Sequence, residues 1–129
     1  MTCELAADFA VPGSNVFDLG CSTGTTLLML DGVIPAGPRL VGIDNSPDMI
    51  AKARAKAALA APSRAIEFEL ADLHTAHPVE NASVVVMILS LQFIRPLFRE
   101  RVVQRIYDGL NDNGCLILVE KQTVASSLL

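Results

Sequence analysis

Short apolar runs alternate along this chain with longer amphipathic or alanine-rich segments. Runs of four to eight mostly apolar residues are typical of strands, and apolar residues spaced three or four apart are typical of helices. Five strands are predicted in this way, at residues 16–19, 40–44, 66–70, 83–90 and 115–119. Helices are predicted from about residue 25 to 30, from residue 47 until Pro62, and from about residue 96 to 110, where the turn NDNG follows.

Strands that alternate with helices favour an α/β fold with a parallel sheet covered by helices on both faces. The fourth run, SVVVMILS, is continuously apolar, as expected of a strand in the buried centre of a parallel sheet. In the third run apolar residues alternate with Glu67 and Glu69, which favours an edge strand. Ser46 is predicted to cap the alanine-rich helix, with Pro47 at its first position.

The segment VFDLGCSTG is the most informative motif, because it joins a buried strand to a helix through a turn with two glycines, Gly20 and Gly24. Such a turn lets a nucleotide-like ligand approach the backbone and the N–H groups at the helix start. The spacing is not the G-x-G-x-x-G of dinucleotide sites, since Ser22 replaces a middle glycine. Asp18 would repel a pyrophosphate but attract an amine, which suits S-adenosyl-L-methionine (SAM). A purely structural turn is the alternative.

Polar residues follow the first four predicted strands, and they should meet at one edge of the sheet, where ligands bind in such folds. Asp44 lies 24 residues after Gly20, near the spacing at which a carboxylate holds the two ribose hydroxyls. The alternative is a helix-start aspartate. Asp72 is a candidate acceptor for an adenine amino group, with Leu73 packing on the ring, although an exposed loop acid is the other interpretation. Met49 either packs on the adenine or faces the core.

Three other patterns have a structural and a functional interpretation. His74 and His77 form H-x-x-H, but they lie in a predicted loop with only Asp72 nearby, so we expect no metal site. Cys21 lies in the glycine turn without a neighbouring histidine, so core packing is favoured over a reactive thiolate. Four arginines form either a basic stripe or a solvated helix face: Arg95, Arg99, Arg101 and Arg105.

Length and composition narrow the classes of protein. A chain of 129 residues allows one domain, and its hydrophobic content of 51% supplies a core. The net charge of −4 gives no support for direct nucleic-acid binding. The longest apolar run, VVVMIL, is too short to span a membrane, and the acidic N-terminal segment is unlike a signal peptide. Three widely spaced cysteines are typical of a reduced, cytoplasmic protein.

Five segments resemble class I SAM-dependent methyltransferases: VFDLGCSTG, VGIDNSPDMI, FELADL, NASVVVMILSLQF and IYDGLNDNGCLILVEK. These five sequences most resemble one branch, the carboxy-S-adenosyl-L-methionine (carboxy-SAM) synthases, which serve the modification of the tRNA wobble uridine. The match extends from about Val16 to Lys121. The resemblance implies a Rossmann-like core with a mostly parallel five-stranded sheet in the order 3-2-1-4-5.

The resemblance also implies an activity. Members of this branch convert SAM and prephenate into carboxy-SAM and phenylpyruvate, with the carboxylate captured on a sulfonium ylide of SAM, and they are homodimers. Carried over by motif, the ligand-binding residues fall into three groups. These are Gly20, Cys21 and Ser22 for the methionine part, Asp44 and Asn45 for the ribose, and Asp72 and Leu73 for the adenine.

The chain departs from that branch at three places. Ile88 stands where the family has an asparagine that reaches the ligand, about fifteen residues precede the first strand, and the usual strands and ligand-binding arginine after the fifth strand are absent. We therefore expect an N-terminal core of a longer enzyme or a shortened relative. A SAM-binding module without turnover and a small-molecule methyltransferase are the alternatives. No catalytic residue is predicted.

Overall fold

The computed structural model describes residues 2–120, so Lys121 and the tail TVASSLL lie outside the described residues. Within residues 2–120, four helices and five strands follow one another with one 3₁₀ turn, Leu91–Phe93. In chain order they are α1 Thr2–Phe9, β1 Asn15–Leu19, α2 Thr25–Val33, β2 Arg39–Asp44, α3 Pro47–Ala60, β3 Ile66–Leu70, β4 Ala82–Ile88, α4 Pro96–Gly109 and β5 Leu110–Val119.

The strands form one sheet in the order β3-β2-β1-β4-β5, and every neighbouring pair is parallel. β1 lies in the centre, where Val16 is opposite Leu40 of β2 and Val84 of β4. β3 pairs with β2 alone among the described strands. The predicted fold class, strand order and position of β3 at an edge are therefore confirmed.

Helices cover both faces of the sheet, also as predicted. Because side chains alternate along a strand, Val16 of β1 faces the α1–α3 side, where Leu27 of α2 and Ile50 of α3 are buried against it. Phe17 and Leu19 face the other side, which α4 covers with a buried stripe that includes Val102. Burial of each such side chain contributes about 1.5–3 kcal/mol, so the two apolar layers fix the strand ends around which the site is built.

The start of α3 follows the predicted capping chemistry. The Ser46 Oγ accepts a hydrogen bond from the Met49 N–H at 3.3 Å, and Pro47 occupies the first turn. Asp48 and Lys52 form the expected exposed i,i+4 ion pair at 3.0 Å. α3 ends at Ala60, because Ala61 adopts a left-handed conformation with φ 49° before Pro62.

Several elements differ from the prediction; β4, for example, ends at Ile88 and not at residue 90. The sequence predicted no helix where α1 lies. α2 continues past residue 30 to Val33, because the Ile34 N–H still donates to the Leu30 carbonyl. The NDNG segment is not a turn between α4 and β5; it is a bulge inside β5. β4 advances two residues from Ala82 to Val84 while β5 advances five, from Leu110 to Cys115. A non-glycine left-handed residue in this segment, Asn113 with φ 66°, absorbs the extra length.

No helix among the described residues is both long and apolar enough to cross a membrane.

Candidate functional site

A cavity of about 390 Å³ opens at the carboxyl ends of β1 to β4, where the sequence predicted that the polar strand ends would meet. Four segments line it. They are Gly20 and Ser22 after β1; Asp44 and Asn45 at the end of β2; Ala71, Asp72, Leu73 and His74 after β3; and Ile88, Leu89, Ser90, Phe93 and Ile94 at the end of β4. Six of the ten predicted ligand-binding residues are among them: Gly20, Ser22, Asp44, Asn45, Asp72 and Leu73.

The turn after β1 is held against the end of β2. The N–H groups of Gly20 and Cys21 both donate to the Ile43 carbonyl, at 2.7 and 2.9 Å. Gly20 has φ +80°, and a Cβ at this position would lie 2.8 Å from the Cβ of Ser90. Only glycine fits there without displacing the β4 end, so bare backbone lines this part of the cavity.

The Asp44 carboxylate bridges two loops at the cavity floor. Its Oδ2 accepts a hydrogen bond from the Ser22 N–H and its Oδ1 accepts one from the Ser46 N–H, both at 2.9 Å. The side-chain cap of α3 is Ser46, so Asp44 does not take that role. A carboxylate has about four lone-pair positions. Two hydrogen bonds therefore orient Asp44 and still leave acceptor capacity on both oxygens.

Asp72 is the exposed acid of the site, with a side chain that is 51% accessible. Its Oδ1 accepts hydrogen bonds from the His74 N–H at 2.9 Å and from the His74 Nδ1 at 2.8 Å. The backbone hydrogen bond from His74, followed by the one from its ring, lowers the pKa of Asp72 below its ordinary value. Asp72 is therefore an anionic acceptor at neutral pH.

Asp18 lies beneath the glycine turn and does not line the cavity. It is only 3% exposed, and its carboxylate has no hydrogen-bond partner among residues 2–120. Burial, and secondarily the charge of Asp44, raises the pKa of Asp18 to about 7. A negative charge here is unfavourable in the free protein and would be relieved by a cationic group placed above the turn.

The other three predicted residues also lie outside the cavity lining. Cys21 is buried in the core on the α1–α3 side, and burial, followed by Asp18 and Asp44, raises the pKa of its thiol to about 12. It is thus protonated at neutral pH and unsuited to nucleophilic attack. Gly24 precedes α2 with φ 84°, and a Cβ there would lie 3.2 Å from the Phe68 ring. The Met49 Sδ accepts a hydrogen bond from the Ser22 Oγ at 3.5 Å.

The β4 end supplies an apolar wall that the sequence did not predict. Ile88, where the resemblance implied an asparagine, and Leu89 line the cavity, and Leu89 adopts the left-handed conformation with φ 56°. Phe93 also lines it and is 78% exposed. Ser90 is a polar residue after β4 that lines the cavity, whereas Gln92 is not part of the lining. No periodic signal in the sequence marks Leu89 or Phe93 as site residues.

The H-x-x-H pair does not converge. His74 lines the main cavity and His77 lines two neighbouring ones. Across residues 2–120 no group of three or more histidine, cysteine or acidic side chains is arranged to hold a metal ion. His74 also has both ring nitrogens engaged, since its Nε2 accepts a hydrogen bond from the Arg95 N–H at 3.2 Å.

The arginines around α4 bond to carbonyl groups or pack on a ring. Arg99 donates to the Ile94 carbonyl at 2.8 Å, Arg105 donates to the His74 carbonyl at 3.4 Å, and Arg101 stacks on Phe98 at 5.6 Å. Of these three contacts, the one made by Arg105 joins α4 to the β3–β4 connection. The site thus combines fixed acceptors, bare backbone and an apolar wall, which suits the binding of a nucleoside-like ligand whose own chemistry is then used.

Curated relatives of this chain are named carboxy-S-adenosyl-L-methionine synthase. The protein of that name from Methylococcus capsulatus is 54% identical over 129 residues, which cover 99% of this chain and 53% of the relative. The one from Wolinella succinogenes is 44% identical, covering 92% of this chain and 50% of the relative. The chain therefore spans about half the length of the curated relatives it matches.

Solved structures share the fold at low identity. Coclaurine N-methyltransferase, solved bound to N-methylheliamine and S-adenosylhomocysteine (SAH), superposes with a TM-score of 0.70 at 22% identity, covering 91% of this chain and 34% of that one. The [4+2]-cyclase SpnF superposes with a TM-score of 0.75 at 24% identity, covering 92% of this chain and 43% of that one. These likenesses establish the architecture alone.

A family profile covers the whole sheet except its last few residues. The profile of the family described as "Methyltransferase domain" matches residues 16–114, which extend from β1 into β5 and include every predicted ligand-binding residue. With the sheet order and the glycine turn at the cavity, this match assigns the family: the chain belongs to the methyltransferase-domain family.

Proposed function

We propose that this chain binds SAM or carboxy-SAM in the cavity at the ends of β1 to β4. One observation carries the proposal: Gly20, Asp44 and Asp72, which are far apart in sequence, line one cavity. Bare backbone, a fixed carboxylate and an exposed carboxylate are what an amino-acid-bearing nucleoside requires along its length.

The residues fit such a ligand from end to end. The remaining lone pairs of Asp44 would accept the two ribose hydroxyls, and Asn45 beside it adds polar capacity. Asp72 would accept the adenine amino group while Leu73 packs on the ring. Gly20 and Ser22 would face the methionine part, whose positive charges would offset the buried charge of Asp18. Cys21, Gly24 and Met49 would support this arrangement from behind.

For the reaction, we propose that the chain acts as the cofactor-binding half of a carboxy-SAM synthase. The support is the 54% identity to a relative of that name over nearly the whole chain. Prephenate would be the second substrate, phenylpyruvate and water would be the other products, and carboxy-SAM would serve tRNA wobble-uridine modification. The fold supplies binding, orientation and exclusion of water, while SAM and prephenate supply the chemistry. A cytoplasmic homodimer is part of this proposal.

The test begins with calorimetry of SAM, SAH and carboxy-SAM on the purified chain, together with mass spectrometry of any ligand that copurifies. We expect binding at a single site that Asp44→Ala and Asp72→Ala each weaken. Glu69→Ala is the matched control, because Glu69 is an exposed acid on β3 outside the cavity lining. Equal affinities for all four proteins, each folded, would refute the site. Prephenate-dependent release of phenylpyruvate then tests the reaction.

A SAM-binding module without turnover is the second candidate. The observation that favours it is the composition of the cavity lining, where Ile88 and Leu89 are apolar and His74 has both ring nitrogens engaged. Tight binding of SAM with no phenylpyruvate formed, even after Ile88→Asn, would favour this module. A small-molecule methyltransferase would instead convert SAM to SAH when an acceptor is supplied.

A further inference from the structure

His74 makes a set of contacts that the proposed ligand roles leave unused. Its N–H and its Nδ1 both bond the Oδ1 of Asp72, at 2.9 and 2.8 Å. Its Nε2 accepts the N–H of Arg95, the residue that precedes α4, at 3.2 Å. The ring meets Phe98 of α4 edge-on at 5.2 Å, with an interplanar angle of 76°. His74 is thus held from both sides while it lines the cavity.

These contacts define the protonation pattern of the ring. A backbone N–H can only donate, so the Nε2 that faces Arg95 is the unprotonated nitrogen of a neutral imidazole. The proton is then on Nδ1, which donates it to Asp72. The α4 start therefore selects the tautomer that holds the carboxylate, in the way that an outer partner selects the tautomer of a ligand-binding histidine.

The consequence for Asp72 is an asymmetric carboxylate. Oδ1 carries both hydrogen bonds from His74, whereas Oδ2 carries none from any of residues 2–120. A short, half-exposed aspartate would otherwise sample several rotamers, and fixing it before binding reduces the entropy that the ligand must overcome. Oδ2 is the oxygen left available to a ligand in the cavity.

We propose that His74 is a positioning residue for base recognition: it fixes Asp72 so that Oδ2 accepts the exocyclic amino group of an adenine base. This inference rests on the proposed function. His74 would thereby help the site to select adenine over a base that carries a carbonyl group in place of the amino group. A carbonyl oxygen facing Oδ2 would place two hydrogen-bond acceptors together. A structural role alone, holding the β3–β4 connection to α4, would not affect which base is preferred.

The experiment compares two probes, S-adenosylhomocysteine and its hypoxanthine counterpart, S-inosylhomocysteine, by calorimetry. The wild type is expected to bind the adenine compound roughly tenfold more tightly. His74→Ala should lose most of that ratio through weaker binding of the adenine compound, with little change for the hypoxanthine compound. Asp72→Asn, which places an amide next to the base, should lower the ratio as well.

A conservative variant separates positioning from packing. The Nδ2 of an asparagine can donate to Asp72 in place of the histidine Nδ1, but it has no atom that reaches Arg95. His74→Asn should therefore recover most of the base preference that His74→Ala loses, even where both variants melt at the same lowered temperature. His74→Phe, which keeps the ring on Phe98 without a donor, should behave like His74→Ala.

Three results would overturn the inference. One is an unchanged ratio in His74→Ala, and another is an equal loss for both probes, which would mean that His74 only stabilises the fold. In either case, weaker SAH binding by Asp44→Ala would leave the proposed site intact. The third is absence of SAH binding to the wild type, which would remove the proposed function together with the inference.

Discussion

The half of the molecule built on β1, β2 and β3 differs from the half built on β4 and β5 in how it meets the cavity. The first half presents bare backbone and oriented carboxylates, with Gly20, Asp44 and Asp72 each tied by backbone hydrogen bonds. The second presents Ile88 and Leu89, without a charged group among its lining residues. Polar groups that recognise a ligand need fixed directions, and strand ends with short turns supply them.

The two edges of the sheet differ in the same sense. β3 carries Glu67 and Glu69, and Arg39 forms an exposed ion pair with Glu67. β5 is apolar from Cys115 to Val119, and Leu118 is 42% exposed. Charged side chains discourage edge-to-edge pairing, and apolar ones do not. The β1–β3 half therefore has a charged edge that discourages pairing. The β4–β5 half supplies an apolar cavity wall and an apolar edge strand.

The largest expected effect comes from breaking the β1 turn. Gly20→Val should reduce SAM affinity by roughly 100-fold or more, about 2.7 kcal/mol. The side chain would meet Ser90 and occupy ligand space, at a φ of +80° that a β-branched residue rarely adopts. Calorimetry on folded protein measures it. Gly32→Val is the matched control, because a Cβ on Gly32 meets nothing within 4 Å. Normal binding by Gly20→Val would exclude Gly20 from the site.

The second effect concerns the buried acid under that turn. The pKa of Asp18 is raised from 3.8 to about 7 in the folded chain. The folded state therefore holds this proton more tightly than the unfolded state, and the resulting stability is present below about pH 4 and is lost as the pH rises toward 7.

Asp18→Asn should remove that pH dependence. Asp18→Asn should raise the free energy of unfolding more at about pH 8 than at about pH 5. The difference between the two pH values should be on the order of 2–3 kcal/mol. Urea unfolding of both proteins at the two pH values measures it. Asp48 is an exposed acid on α3, so Asp48→Asn is the control. Its effect on the free energy of unfolding should differ little between the two pH values. A constant difference for Asp18→Asn would mean that Asp18 is ionised throughout.

The third effect is on the proposed ribose contact. Asp44→Ala should weaken SAM binding by roughly 1.5–3 kcal/mol, the range for hydrogen bonds to a charged group. The loss includes the two N–H groups of Ser22 and Ser46 that Asp44 orients. Asp44→Asn should lose less, since it keeps one acceptor oxygen. Calorimetry in which Asp44→Ala binds SAM like the wild type would reject Asp44 as the ribose acceptor.

The site residues of the β1–β3 half were largely predictable from the sequence, because they follow the strands directly. Asp44 and Asp72 come directly after apolar runs, and parallel strands bring such ends together. The side-chain direction of Cys21 was not predictable, since within a turn it depends on φ and ψ values that spacing does not specify. The contact of His74 with Arg95 was missed because the two residues are 21 positions apart, and only the folded connection brings them together.

The β4–β5 half was harder to predict for a different reason. NDNG has strong local turn propensity, and the pairing of β5 with β4 overrides it by forming a bulge. Leu89 has a left-handed conformation that leucine does not favour, so only its surroundings impose it. α1 was unassigned because its segment is short, and packing of Ala6 into the core decides its place.

The smallest expected effect is on assembly, and it sharpens the contrast between the two edges. β5 pairs with β4 alone among the described strands, so no strand within residues 2–120 covers the other side of its backbone. We predict that the chain self-associates at micromolar concentration through this edge. Leu118→Lys should shift sedimentation toward the monomer, because a charge on an apolar edge disfavours strand pairing. Leu59 on α3 is 89% exposed, so Leu59→Lys is the matched control and should leave the sedimentation unchanged.

A wild-type monomer would contradict this prediction, and hydrogen exchange would then show how the edge is covered. Protected amides at both Leu116 and Ile117, whose N–H groups point to opposite sides, would mean that residues of the same chain shield the side of β5 that faces away from β4. Protection at alternate amides only would mean that β4 is the sole partner and that the open edge is tolerated, since successive N–H groups of a strand point to opposite sides. Either pattern in a monomer would mean that the β5 edge does not drive association of this chain.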